Sequence, residues 1–63
     1  MLTPRQREVL SLIADGARVK QAADQLGIAY HTAKQHSEGA VRALDARSVP
    51  NAVCIAMRRG LIA

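Results

Sequence analysis

Apolar residues recur at helical spacing in four separate stretches of this chain. In the first, Val9, Leu10 and Ile13 make the stripe, and Leu12 and Ala14 widen it. Thr3 is placed to accept a backbone N–H bond as N-cap, and Pro4 suits the first helical position. Gly16, after Asp15, marks a stop. The pattern predicts a helix over about 3–15. In the second stretch, Val19, Ala22, Ala23 and Leu26 fall at i, i+3, i+4 and i+7, a narrow apolar face over 19–26 with Lys20, Gln21, Asp24 and Gln25 turned away from it. Gly27 ends that helix, and Ile28 is positioned to fold back onto the core.

The third stretch predicts a helix over about 30–44. Ala33, Ser37, Ala40, Val41 and Leu44 form its packing face, and His31, Lys34, Gln35, Glu38 and Arg42 cluster on the other side at about 100° per residue. Gly39, inside this helix, is expected to cost roughly 1 kcal/mol relative to Ala, and Ala29 offers no side-chain cap. The fourth stretch predicts a helix over about 49–59. Ser48 caps it, Pro50 falls in its first turn, and Ala52, Val53, Ala56 and Met57 form its stripe. Gly60 closes it, leaving Leu61 and Ile62 to tuck under the core. The expected fold is all-α, a single domain of four helices over residues 1–63.

Composition supports this and narrows the chemistry. Apolar residues make up 49% of the chain, mostly Ala, Leu, Val and Ile, with Tyr30 the single aromatic. That balance favours short, closely packed helices over a sheet. Nine Lys or Arg against five Asp or Glu give a net charge of +4 on a very small body, which suits a polyanionic partner. Cys54 is the only cysteine, so no disulfide forms within one chain. This fits a reducing cytoplasm. No stretch reaches the ~18 apolar residues of a membrane span, and no signal-peptide pattern opens the chain. His31 and His36, five apart, point about 140° from each other on a helix and do not converge on one metal ion. No nucleophile motif frames the Ser, His and Asp residues, so neither an enzyme nor a cofactor is expected.

Two short helices joined by the tight Leu26-Gly27-Ile28 turn describe a helix-turn-helix, whose second helix enters the DNA major groove. The reader here is the third helix of the chain. Lys34 can reach guanine O6 or N7, or a phosphate, Gln35 can pair with adenine, and Glu38 can accept from cytosine N4. Lys20, His31, Thr32, Arg42 and Arg47 are the candidates for phosphate contact.

The same residues carry a family resemblance. Leu2-Thr3-Pro4-Arg5 with Arg7-Glu8-Val9-Leu10, then Ala14-Asp15-Gly16, Lys20, Ala23, Leu26-Gly27-Ile28, His31-Thr32-Ala33-Lys34 and His36 resemble the LuxR-type (FixJ or GerE) helix-turn-helix domain. Arg47-Ser48, Asn51-Ala52-Val53, Ala56 and Arg58-Arg59-Gly60-Leu61-Ile62 continue the likeness to the end of the chain. The resemblance implies a four-helix fold and transcriptional regulation. By position it assigns base contacts to Lys34, Gln35 and Glu38, backbone contacts to Thr32 and Lys20, and a homodimer contact to the fourth helix through Val53, Cys54 and Met57. The chain departs from the pattern at Ala29, Ala33, Gly39 and Ala40, where relatives carry larger or polar residues, and at Glu38, where they are basic or neutral. Reduced core volume along the reading helix is the expected result. Lys34-Gln35 with Ala40-Val41-Arg42 and Leu44 also looks like the last helix of region 4 of bacterial sigma factors, but the ending from Ser48 favours the LuxR type.

With Met1 immediately before the motif, the chain is expected to be a small stand-alone member, bacterial or phage-encoded and acting in the cytoplasm. An alternative role, from another class, is a protein-interaction module that pairs with a LuxR-type regulator or with RNA polymerase.

Overall fold

In the computed structural model, which describes residues 1–63, four helices follow in order: α1 (Pro4–Ala14), α2 (Val19–Leu26), α3 (Tyr30–Ala43) and α4 (Val49–Arg58). Thr3 and Asp15 lie just outside α1 as its caps, and Leu44 and Arg59 cap α3 and α4, so α1 is a residue shorter at each end, and α3 and α4 a residue shorter at the C-terminal end, than the sequence pattern suggests. Thr3 is extended (φ −70°, ψ 159°), the conformation from which its hydroxyl can reach back into the first turn.

Side chains start three of the helices. The Gln6 N–H donates to Thr3 Oγ1 at 3.1 Å while the Thr3 N–H donates to Gln6 Oε1 at 3.0 Å, a reciprocal capping box. At α2 only half of such a box exists. The Arg18 N–H donates to Gln21 Oε1 at 2.8 Å, and arginine has no oxygen to return the bond. At α4, Ser48 Oγ accepts from the Asn51 N–H at 3.2 Å and Asn51 Oδ1 accepts from the Arg47 N–H at 3.0 Å. The start of α3 has no side-chain cap. Ala29 supplies only its carbonyl, to the N–H groups of Thr32 and Ala33.

All four helices end alike, with an N–H five residues on bonding back into the last turn: Ala17 to Leu12, Ile28 to Ala23, Ala46 to Val41 and Leu61 to Ala56. This closure needs one left-handed residue. At the α2–α3 turn it is Gly27 (φ 68°), which turns the chain sharply enough to bring α3 onto α2. After α3 it is Asp45 (φ 53°), where an L side chain pays a steric cost.

Helix α3 packs on each of the other three helices, whereas α2 and α4 do not touch. Between α1, α3 and α4 lies the main core of Leu2, Leu10, Ala40, Leu44, Ala52, Val53, Ala56 and Ile62. Val9 from α1, Ala22 and Ala23 from α2, and Ala33 and Ser37 from α3 are buried as well. Ser37 is 1% exposed, and its hydroxyl donates to the Lys34 carbonyl at 2.7 Å, so burial leaves it satisfied. Leu10 and Val9 are the two largest fully buried apolar side chains. A Leu10→Ala change costs about 3–5 kcal/mol, as much as a core this small supplies.

The reduced volume expected along α3 does not produce a void. Ala33 and Ala40 are fully buried, and the two concavities of the surface are open ones between α1 and α2. Gly39 has a specific reason of its own. A Cβ built there would lie 2.6 Å from Gln6 Nε2, so the glycine makes room for the α1 capping side chain to lie across α3.

Candidate nucleic-acid interface

The inward side of α3 is set by Ala33, Ser37, Ala40 and Leu44, all buried. The opposite ridge is therefore fixed. Gln35 and Arg42, seven residues apart, lie farthest from the buried positions, with His31 and Glu38 beside them. All four are exposed. Lys34 is exposed too, but lies on a flank of that ridge, one turn after Tyr30. Thr32 and His36 are half-buried on the other flank. Thus His31, Lys34, Gln35, Glu38 and Arg42 come together on one surface. Within it Gln35 and Arg42 point most directly outward and Lys34 lies at an edge.

Lys20 is exposed on α2, and Arg47 is exposed in the turn between α3 and α4. The chain has one ion pair, Arg5 with Glu8 at 3.5 Å, on the first turns of α1. Lys20, Lys34, Arg42 and Arg47 therefore have no carboxylate within 4.0 Å and present undiverted positive charge. Glu38 is likewise unpaired, a negative charge set inside a basic face.

Two contributors were not picked out from the sequence. Tyr30 is 52% exposed at the start of α3, on the same side as Lys34. Its i, i+4 spacing to Lys34 was the available signal. Gln6 reaches the face from α1 across Gly39, a contact that no local pattern announces.

The three residues assigned to the fourth-helix contact separate. Val53 is 9% exposed and belongs to the core of its own chain. Cys54 is exposed, and Met57 is 50% exposed. Helix α4 thus uses Ala52, Val53 and Ala56 inward and leaves Cys54 and Met57 outward. No helix of the chain is long and apolar enough to cross a membrane.

Two consecutive helices, a left-handed glycine turn between them, and a polar, unpaired face on the second define a helix-turn-helix protein. Residues 1–56 match the family described as bacterial regulatory proteins, luxR family, and the chain belongs to that family. The transcriptional activator protein BjaR1 of Bradyrhizobium diazoefficiens is 38% identical over 61 residues. These cover 97% of this chain and 25% of that protein, so the chain spans about a quarter of that relative's length. The solved structure of the transcription factor GerE superposes with a TM-score of 0.92 at 26% identity, covering 98% of this chain and 92% of that one. The LuxR-type domain is a DNA-binding regulatory class rather than an enzyme class.

Proposed function

We propose that this chain binds double-stranded DNA with sequence preference and regulates transcription, with α3 lying in the major groove. The observation that carries this reading is the outward ridge of α3. It is a continuous row of hydrogen-bonding side chains with no intramolecular partner, on a helix whose other side is buried against three neighbours. Gln35, which with Arg42 points most directly outward, pairs with adenine N6 and N7. Glu38 accepts from cytosine N4, and Lys34 reaches guanine or the adjoining phosphate from the flank. Lys20, His31, Thr32, Arg42 and Arg47 fix the register on the backbone. Transcription is also what the relative's name and the solved neighbour's description refer to.

Two copies sit on a two-fold operator through the exposed side of α4, with Cys54 and Met57 at the contact and Val53 supporting it from the core. The protein acts in the bacterial cytoplasm, where the DNA is.

Fluorescence anisotropy with labelled duplex DNA across a salt series tests the reading. Lys20, Arg42 and Arg47 supply three cationic backbone contacts, so log K falls against log salt with a slope of about −3 per bound chain. Lys34→Ala weakens binding. Absence of binding at low salt refutes the proposal and leaves the protein-interaction role to be pursued.

A further inference from the structure

Gln6 stands outside the reading helix, yet its side chain lies against it. Its Oε1 accepts the Thr3 N–H at 3.0 Å. That bond fixes which way the amide faces, because only the oxygen can accept. The Nε2 group is thereby turned the other way, onto Gly39, where it would stand 2.6 Å from a Cβ. Arg42 Nη2 stands 3.9 Å from the same point. Nε2 makes no hydrogen bond within the chain, and Arg42 has no carboxylate partner. Two sets of donors, one neutral and one cationic, therefore converge beside the bare backbone of Gly39.

Neither group has anything to gain from the other, since both only donate at these atoms. What suits both is a shared acceptor bearing negative charge. Arg42 lies on the C-terminal half of the ridge, and Gln6 reaches it from the side where α1 meets α3. In a helix-turn-helix the N-terminal residues of the reading helix meet base edges, and toward its C-terminal end contacts pass to the sugar-phosphate backbone.

We propose that Gln6 is a DNA-contacting residue, and that its amide nitrogen together with the Arg42 guanidinium holds one backbone phosphate, Gly39 being the gap that lets the two converge. This rests on the DNA-binding reading above. Gly39 is then a positioning residue for a phosphate clamp contributed by two helices. The α1 capping box has a second use, because it orients the amide that binds the anion.

The test is Gln6→Glu, in the parent chain and in an Arg42→Ala background, with affinity read by anisotropy across a salt series and folding read by thermal melting. Glutamate keeps an oxygen for the Thr3 N–H, so the melting temperature does not fall. It removes the amide donors and offers Arg42 a carboxylate. In the parent, affinity drops about tenfold and the salt slope shrinks by about 1, because Arg42 is drawn off the DNA. In the Arg42→Ala background the same change costs less than in the parent, since the lost amide donor and the added charge remain but the cation it would capture is already gone. A Gln6→Glu chain that binds within about twofold of the parent overturns the clamp, as does an equal cost in both backgrounds. In either case Lys34→Ala still weakens binding, and the DNA-binding reading stands. A parent chain that does not bind DNA at all overturns both.

Discussion

Replacing a helix-interior glycine with alanine ordinarily stabilises a helix by about 1 kcal/mol. At Gly39 the structure predicts that this gain does not appear. The added Cβ would meet Gln6 Nε2 at 2.6 Å, so the amide must move. The amide is not a free side-chain end, because its oxygen holds the Thr3 N–H at 3.0 Å in the α1 capping box. Losing that bond costs about 0.5–1.5 kcal/mol, which offsets the helix-propensity gain. Gly39→Ala should therefore leave stability within about 0.5 kcal/mol of the parent. Gln6→Ala removes the obstacle, and in that background Gly39→Ala should recover the full gain of about 1 kcal/mol. For a domain of this size 1 kcal/mol corresponds to a shift of about 4–8 °C in Tm. Thermal melts of the four chains, followed by circular dichroism at 222 nm, measure the cycle. An equal rise in Tm on Gly39→Ala in the two backgrounds would falsify the claim that Gly39 exists to seat Gln6.

Asp45→Gly should raise Tm by about 4–8 °C, since glycine relieves the left-handed strain at φ 53° and removes a negative charge from the C-terminal end of α3; an unchanged or lower Tm would show that Asp45 carries no such cost. Met57→Glu, on the exposed side of α4, should leave stability within about 0.5 kcal/mol and reduce the complex with a two-fold operator from two chains to one in sedimentation velocity. Two chains per duplex after that change would argue that α4 is not the contact between copies.

Much of the fold is written in local patterns. Val19, Ala22, Ala23 and Leu26 state the buried face of α2 by spacing alone, and Gly27 states where it stops. Thr3, Ser48 and the glycines after three of the helices act within a few residues of themselves, so their signals are local too. What the sequence does not display is contact between distant residues. Leu2 precedes α1 and falls in no helical stripe, yet it is 5% exposed in the main core. Gly39 reads as a weakness when α3 is considered alone and as a fitted contact once Gln6 is seen lying over it. Val53 carries two expectations, a place in the apolar stripe of α4 and a place at a dimer surface. The position of α1 and α3 relative to α4 decides for the stripe.

The candidate site divides in the same way. Helical periodicity gathers His31, Lys34, Gln35, Glu38 and Arg42 on one side. It does not rank them, because the inward direction is set by which residues the other helices bury. Once Ala33, Ser37, Ala40 and Leu44 are known to face the core, Gln35 and Arg42 point most directly outward and Lys34 moves to the edge of the ridge. Ion pairing is also a property of the folded chain. That Arg5 alone among the cations is engaged by a carboxylate leaves the reading helix and its flanks fully charged.

The central claim is that α3 reads bases from the major groove, with Gln35 foremost. Selection of bound sequences from random duplex DNA, run side by side with the parent and Gln35→Ala, tests it most directly. The parent should enrich a single motif, and the variant the same motif with preference lost at one base pair. A parent that enriches no motif, or a variant whose motif is unchanged at every position, would contradict it.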